Sequence, residues 1–94
     1  MIRHMVFFTV KDPADLTAAE SGLKRLEEVP ETELLHVRRN LRRDQLGNEV
    51  DLVVYGEFTD EDKLAAFKAH PLYEEAIALV RPLRDLRIAA DVEV

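Results

Sequence analysis

The chain contains no cysteine and only three glycines in its 94 residues. Without cysteine there is no disulfide framework, no thiolate nucleophile and no cysteine metal site. The glycines are scattered, so no phosphate-cradling loop is present, and no cofactor is expected. No G-x-S-x-G or comparable nucleophile motif occurs, and Ser21 lies in a helical pattern without a nearby base. No apolar run approaches the ~20 residues of a membrane span. The opening "MIRHMVFFTV" lacks a small-residue cleavage site and reads as a strand rather than a leader, so a cytoplasmic location is expected. Positive charge is also short: 13 Lys and Arg stand against 19 Asp and Glu, for a net charge of −6. That balance argues against nucleic acid or an anionic membrane surface as partner. Linkers, repeats and low-complexity segments are missing too, and a chain of this length is expected to form one domain over 1–94.

What is present is a regular alternation of patterns. Residues 2–10 are rich in β-branched and aromatic side chains and predict a strand. Ile2, His4, Val6, Phe8 and Val10 point one way, and Arg3, Met5, Phe7 and Thr9 the other. "KDPADL" supplies a helix start, with Asp12 as N-cap and Pro13 at the first helical position. Leu16, Ala19, Leu23 and Leu26 recur at helical spacing, Gly22 weakens the helix, and Pro30 ends it. Residues 33–42 and 50–58 predict two strands joined by a turn with Gly47-Asn48 at its tip. Asp60 caps a second helix whose stripe is Leu64, Phe67, Ile77 and Val80, stopped by Pro82. "LRDLRIAADVEV" closes the chain as a strand, with Leu86, Ile88, Ala90 and Val92 on one face.

The order β-α-β-β-α-β predicts an α+β, ferredoxin-like fold, with two helical segments on one face of a four-stranded antiparallel sheet. Such a sheet, wet on one side, should alternate cleanly between apolar and polar. The first and third strands do not, because Met5, Phe7, Val53 and Tyr55 are apolar on the side the helices cannot reach. In this topology those strands are the central pair. A second copy laid sheet against sheet is the expected cover, which makes the chain its own partner and Met5, Phe7, Val53 and Tyr55 the dimer interface.

One stretch interrupts the helical pattern. In "FKAHPLY", residues 67–73, Pro71 has no N–H to offer the carbonyl of Phe67, and the residue before it is pushed out of the helical region. The second helix is therefore expected to break after Ala69 and restart at Pro71, running to about Arg81. Two readings follow. Either Pro71 only sets the helix path, with His70 bonded locally, or the break opens a pocket between sheet and helices. The candidate lining is His4, Val6, Val54, Phe67, His70 and Tyr73, with His4 or Tyr73 as the polar group that orients a small-molecule ligand.

The early histidine in "IRHMVFF", the "DP" leading the first helix and "FxxHPxY" in the second together resemble the stress-responsive dimeric α/β-barrel (Dabb) family over nearly the whole chain. The resemblance implies a ferredoxin-like unit paired into a dimeric barrel, in a family whose members are mostly of uncharacterised activity. Its plant polyketide cyclases close rings with a tyrosine and a histidine in the form "YxxHPxH". Phe67 and Tyr73 stand at those two places here, while His4 and His70 match family histidines. The cyclase's proton-transfer pair is thus not carried over.

Other constellations are weaker. His4, His36 and His70 fall on three different elements, so no metal is expected. "HVRRNLRR" places Arg38, Arg39, Arg42 and Arg43 near a strand end, where they either hold an anion or form a solvated edge facing the chain's many acids. Two function classes remain: a small-molecule enzyme or binding protein with an apolar pocket, and a non-catalytic dimeric stress protein whose pocket is filled. An oxygenase-like or polyketide-cyclase-like enzyme on the same architecture is a further alternative. Cavity volume separates the first two.

Overall fold

Ile2–Val10 form strand β1, the longest uninterrupted β-favouring run near the N-terminus. A computed structural model describes residues 1–94. Asp12 caps the next turn by accepting from the Ala14 amide, and Pro13 opens a 3-10 turn over Pro13–Asp15. This leads into α1 (Leu16–Lys24), and a second 3-10 turn over Arg25–Glu28 ends the segment before Pro30. The first helix is thus a short α-helix between two tighter turns rather than one continuous helix. Strands β2 (Leu34–Arg39) and β3 (Leu52–Phe58) follow. Helices α2 (Glu61–Ala69) and α3 (Pro71–Val80) come next, and β4 (Arg84–Glu93) closes the chain.

The sheet order is β2-β3-β1-β4, antiparallel throughout, so β1 and β3 are the central pair. This is the ferredoxin-like α+β arrangement. The two inner strands alternate as their sequence requires. On the helix side, Ile2, Val6, Phe8, Leu52, Val54 and Phe58 are buried and pack with Ala19, Leu23 and Leu26 of the first helical segment and Leu64, Phe67, Ala76 and Val80 of the second. Gly22 has a packing reason: a Cβ there would lie 3.0 Å from Val80 Cγ2, so the missing side chain lets α1 and α3 approach.

The strands on either side of the long hairpin are shorter than the expected 33–42 and 50–58. The ladder ends at the Arg39–Leu52 pair, and beyond it Leu41 is exposed and Arg42 takes a left-handed φ of 56°. Side chains then hold the loop. Asn40 donates to the Val50 carbonyl and accepts from the Arg42 amide, and Arg42 pairs with Asp51. Asp51 also accepts from the Val10 amide at 2.8 Å, which ties the loop to β1. No helix is long and apolar enough to cross a membrane.

Candidate functional site: a histidine under the helix break

The break falls between Ala69 and Pro71. His70 has extended backbone angles (φ −69°, ψ 142°), as a residue before proline should. The Phe67 carbonyl is not orphaned, because the His70 amide donates to it at 3.2 Å. Nor does the His70 ring face a pocket: its Nδ1 accepts from the Leu72 amide at 3.1 Å and caps α3. His70, an expected lining residue, therefore lies outside the cleft and acts as the N-cap of the restarted helix. The break also re-aims α3, so that Tyr73, Ala76, Ile77 and Val80 face the sheet across from β1.

Between α3 and the sheet lies a cleft whose lining includes His4, Val6, Val54, Phe67 and Tyr73, five of the six expected positions. The first helical segment adds Leu23 and Leu26, and Arg81, Arg84 and Arg87 stand at the mouth. The free volume inside is about 20 Å³, room for roughly one water.

His4 is the only polar side chain in the buried set. Register explains its position. Across the sheet, Leu35, Gly56, His4 and Asp91 form one row on the helix side. Gly56 leaves space in that row, since a Cβ there would lie 2.9 Å from the Phe58 ring. The Phe58 and Phe67 rings meet the imidazole edge-on, with centroids at 6.3 and 6.2 Å, and Tyr73 meets Phe67 at 5.2 Å. An aromatic wall thus surrounds the imidazole on the apolar side.

On the other side, Nδ1 of His4 lies 2.5 Å from Oδ1 of Asp91. A carboxylate can only accept, so Nδ1 carries the proton and Nε2 carries the lone pair. Nε2 has no protein partner, and no fully buried side-chain nitrogen or oxygen is left unpaired, so Nε2 reaches the free space of the cleft. Burial pushes the His4 pKa below its ordinary value. The Asp91 hydrogen bond and charge oppose this, while Lys68 and Arg87 add to the lowering. At neutral pH the ring is neutral, with its basic nitrogen in an apolar cleft and its other nitrogen held by a carboxylate. Chemically this is a poised proton acceptor.

Asp91, Arg84 and Arg87 were not singled out from sequence, although the strand alternation put Arg87 and Asp91 on one face. What was missing was the pairing of β4 with β1, which sets position 91 opposite position 4. The remaining histidine, His36, projects from the opposite face beside Tyr55, and no group of three or more His, Asp or Glu converges anywhere. The arginines of "HVRRNLRR" mostly serve structure. Arg38 pairs with Glu27, Arg39 with Glu20 and Thr17, and Arg42 with Asp51. Arg39 also holds the Glu20 carboxyl below the usual carboxylate range.

Similar proteins come from bacteria and plants. A dimeric ferredoxin-like protein of unknown function from Thermobifida fusca superposes with a TM-score of 0.82 at 24% identity, covering 99% of this chain and 90% of that one. A Dabb family protein with a ferredoxin-like fold from Mesorhizobium loti gives 0.79 at 18%, with 99% and 95% covered. The protein At3g17210 from Arabidopsis thaliana gives 0.78 at 15%, with 100% and 95% covered. At these identities the likeness is one of fold. No curated protein sequence matches. The sequence pattern of the family described as the Stress responsive A/B Barrel Domain matches residues 2–94, and the chain belongs to that family, Dabb.

Proposed function

We propose that the protein is a homodimeric small-molecule enzyme that binds an apolar or aromatic ligand in the helix–sheet cleft and takes a proton from it with His4. The observation that carries this reading is the oriented imidazole: Nδ1 held by Asp91, Nε2 turned to an apolar cavity. A buried histidine that served packing alone would have no need to present a free basic nitrogen to a cavity. The carboxylate fixes the ring and favours the imidazolium that forms when the proton arrives. Proton abstraction beside a carbonyl is the matching reaction class. Neither Tyr73 nor Phe67 supplies a second base.

Room must be made for the ligand. Cavities that hold drug-sized molecules run to ~300–1,000 Å³. The cleft widens at its mouth into an open vestibule of about 510 Å³ that shares Tyr73, Ile77, Arg81, Arg84 and Arg87 with it. Tyr73 and Ile77 are only half-buried, and both sit on α3 just after the break, so a shift of α3 away from the sheet would open the cleft. The small volume supports a second reading, in which the cleft stays filled and the dimer is a structural protein.

The dimer rests on the other face of the sheet. Met5, Phe7, Val53 and Tyr55 form a half-buried apolar block there, continued by exposed Leu86, Ile88 and Val92 of β4. The relatives described as dimeric share this fold.

Thermal shift across a panel of aromatic and polyketide-like acids separates the two readings. The enzyme reading expects at least one ligand to raise Tm and to move the His4 ring resonances, with Asp91→Asn weakening the effect. A panel in which no ligand moves the His4 resonances favours the filled cleft.

A further inference from the structure

Four cations from three elements surround the vestibule: Lys68 on α2, Arg81 at the end of α3, and Arg84 and Arg87 on β4. None of them makes an ion pair, whereas Lys24, Arg25, Arg38, Arg39 and Arg42 each pair with an acid. Acids are not scarce in a chain with 19 of them. The one carboxylate on the vestibule wall, Glu74, pairs with none of the four. Arg84 and Arg87 are half-buried and line both the vestibule and the apolar cleft behind it. Unpaired guanidinium groups at the lip of an apolar cavity, in a protein of net charge −6, form a local positive field against the overall sign.

We propose that this cationic rim selects the ligand as an amphiphilic carboxylate: its apolar body enters the cleft toward His4, and its carboxylate stays at the mouth on Arg84 and Arg87. Guanidinium forks match a carboxylate in bidentate geometry, and the partly desolvated lip strengthens the pairing. The distance fits a small molecule. Arg87 and Asp91 lie on the same face of β4, four residues apart, which is about 13 Å of strand. An anion seated on the rim would also offset the charges of Lys68 and Arg87, which now work against protonation of His4. Binding would thereby make the base stronger as the ligand arrives. The inference rests on the reading of the cleft as a ligand site, and it adds the charge and length of the ligand.

The test uses the intact protein and isothermal titration calorimetry with phenylacetate and 4-phenylbutyrate, each against its own primary amide, which keeps the shape and removes the charge. The acids are expected to bind about tenfold more tightly than the amides, with the gap narrowing as salt is raised. Arg84→Gln with Arg87→Gln should bring the acid and amide affinities together. Lys68→Gln, at an exposed position that folding tolerates, should narrow it, and Arg43→Gln, remote and also unpaired, should leave it unchanged. Equal binding of acid and amide would overturn the charge selection and leave the cleft reading standing. Binding of neither would overturn both. Inorganic phosphate that displaces the acids while the amides fail to bind would reduce the rim to a surface anion site and also overturn the proposal.

Discussion

Both faces of the sheet carry apolar side chains along β1 and β3, yet they live in different surroundings. On the helix side, Val37, Val54 and Val6 stand in one row at 0%, 2% and 3% exposure. On the far side, the matching row of Arg38, Val53, Phe7 and Ile88 has half-buried centres, and Ile88 is 53% exposed. β4 sharpens the contrast because its alternation is inverted relative to the helices. Leu86, Ile88 and Val92 face away from them, while Arg87 and Asp91 face toward them. That inversion would be costly if the far face stayed wet. With a second subunit over it, one strand does two jobs: it extends the apolar surface on one side and delivers charged groups to His4 and the cleft mouth on the other.

Breaking each face in turn should therefore give different kinds of damage. Phe58→Ala, on the helix side and fully buried, should cost about 3–5 kcal/mol in urea unfolding through the cavity it leaves. Phe7→Asp on the far face should spare the helix-side core but shift the protein from dimer to monomer in sedimentation velocity, with an affinity loss of roughly a hundredfold or more. A Phe7→Asp variant that remains dimeric would show that the subunits meet elsewhere.

Much of this contrast is legible in the sequence, because it depends on local rules. The two-faced strands, the cap at Asp60 and the restart at Pro71 follow from period, capping chemistry and proline stereochemistry, and the structure shows the Asp60 side chain accepting from the Lys63 amide at 2.9 Å. What does not read out is non-local. Asp91 reaches His4 across 87 residues, a partnership set by strand register rather than by any motif. At His70 the sequence leaves two readings open, a pocket residue at the break or a ring bonded locally. The extended ψ that proline imposes selects the second, bringing the ring back onto the Leu72 amide. The shortened hairpin strands depend on Asn40, Arg42 and Asp51 bonding to one another, which outweighs the alternation written through residues 33–42.

Gly56 tests the helix-side row directly, at a smaller scale. It lies between Leu35 and His4, and a methyl group there would meet the Phe58 ring at 2.9 Å and Leu35 Cδ1 at 3.3 Å. Neither neighbour can retreat easily, since both are buried. Gly56→Ala should destabilise by about 1–3 kcal/mol in urea unfolding, whereas Gly47→Ala in the exposed loop should change stability by roughly 0.5 kcal/mol or less. Equal effects at the two sites would mean that the row has slack.

The smallest expected effect is on pH dependence, and it separates His4 from the far-face His36. His4 is buried neutral, with its pKa below the value of about 6.5 that it has in an unfolded chain. Above that value both states are neutral at this site and it contributes no pH slope. As pH falls below it, the unfolded chain takes up a proton before the folded one does, so stability declines until pH passes the lowered folded pKa, and then levels off. Replacing His4 by Gln should flatten this part of the curve, even if it also lowers stability overall, because the readout is the slope and not the height. Asp91→Asn should steepen or extend the decline, since it removes the group that resists the lowering. A slope carried instead by the dimerisation equilibrium would depend on protein concentration, so the curve should be taken at two concentrations. A concentration-independent decline lost in His4→Gln assigns the titration to the helix side of the sheet. A decline unchanged by that substitution would mean that His4 keeps an ordinary affinity for protons, and the neutral base proposed for the cleft would lose its footing.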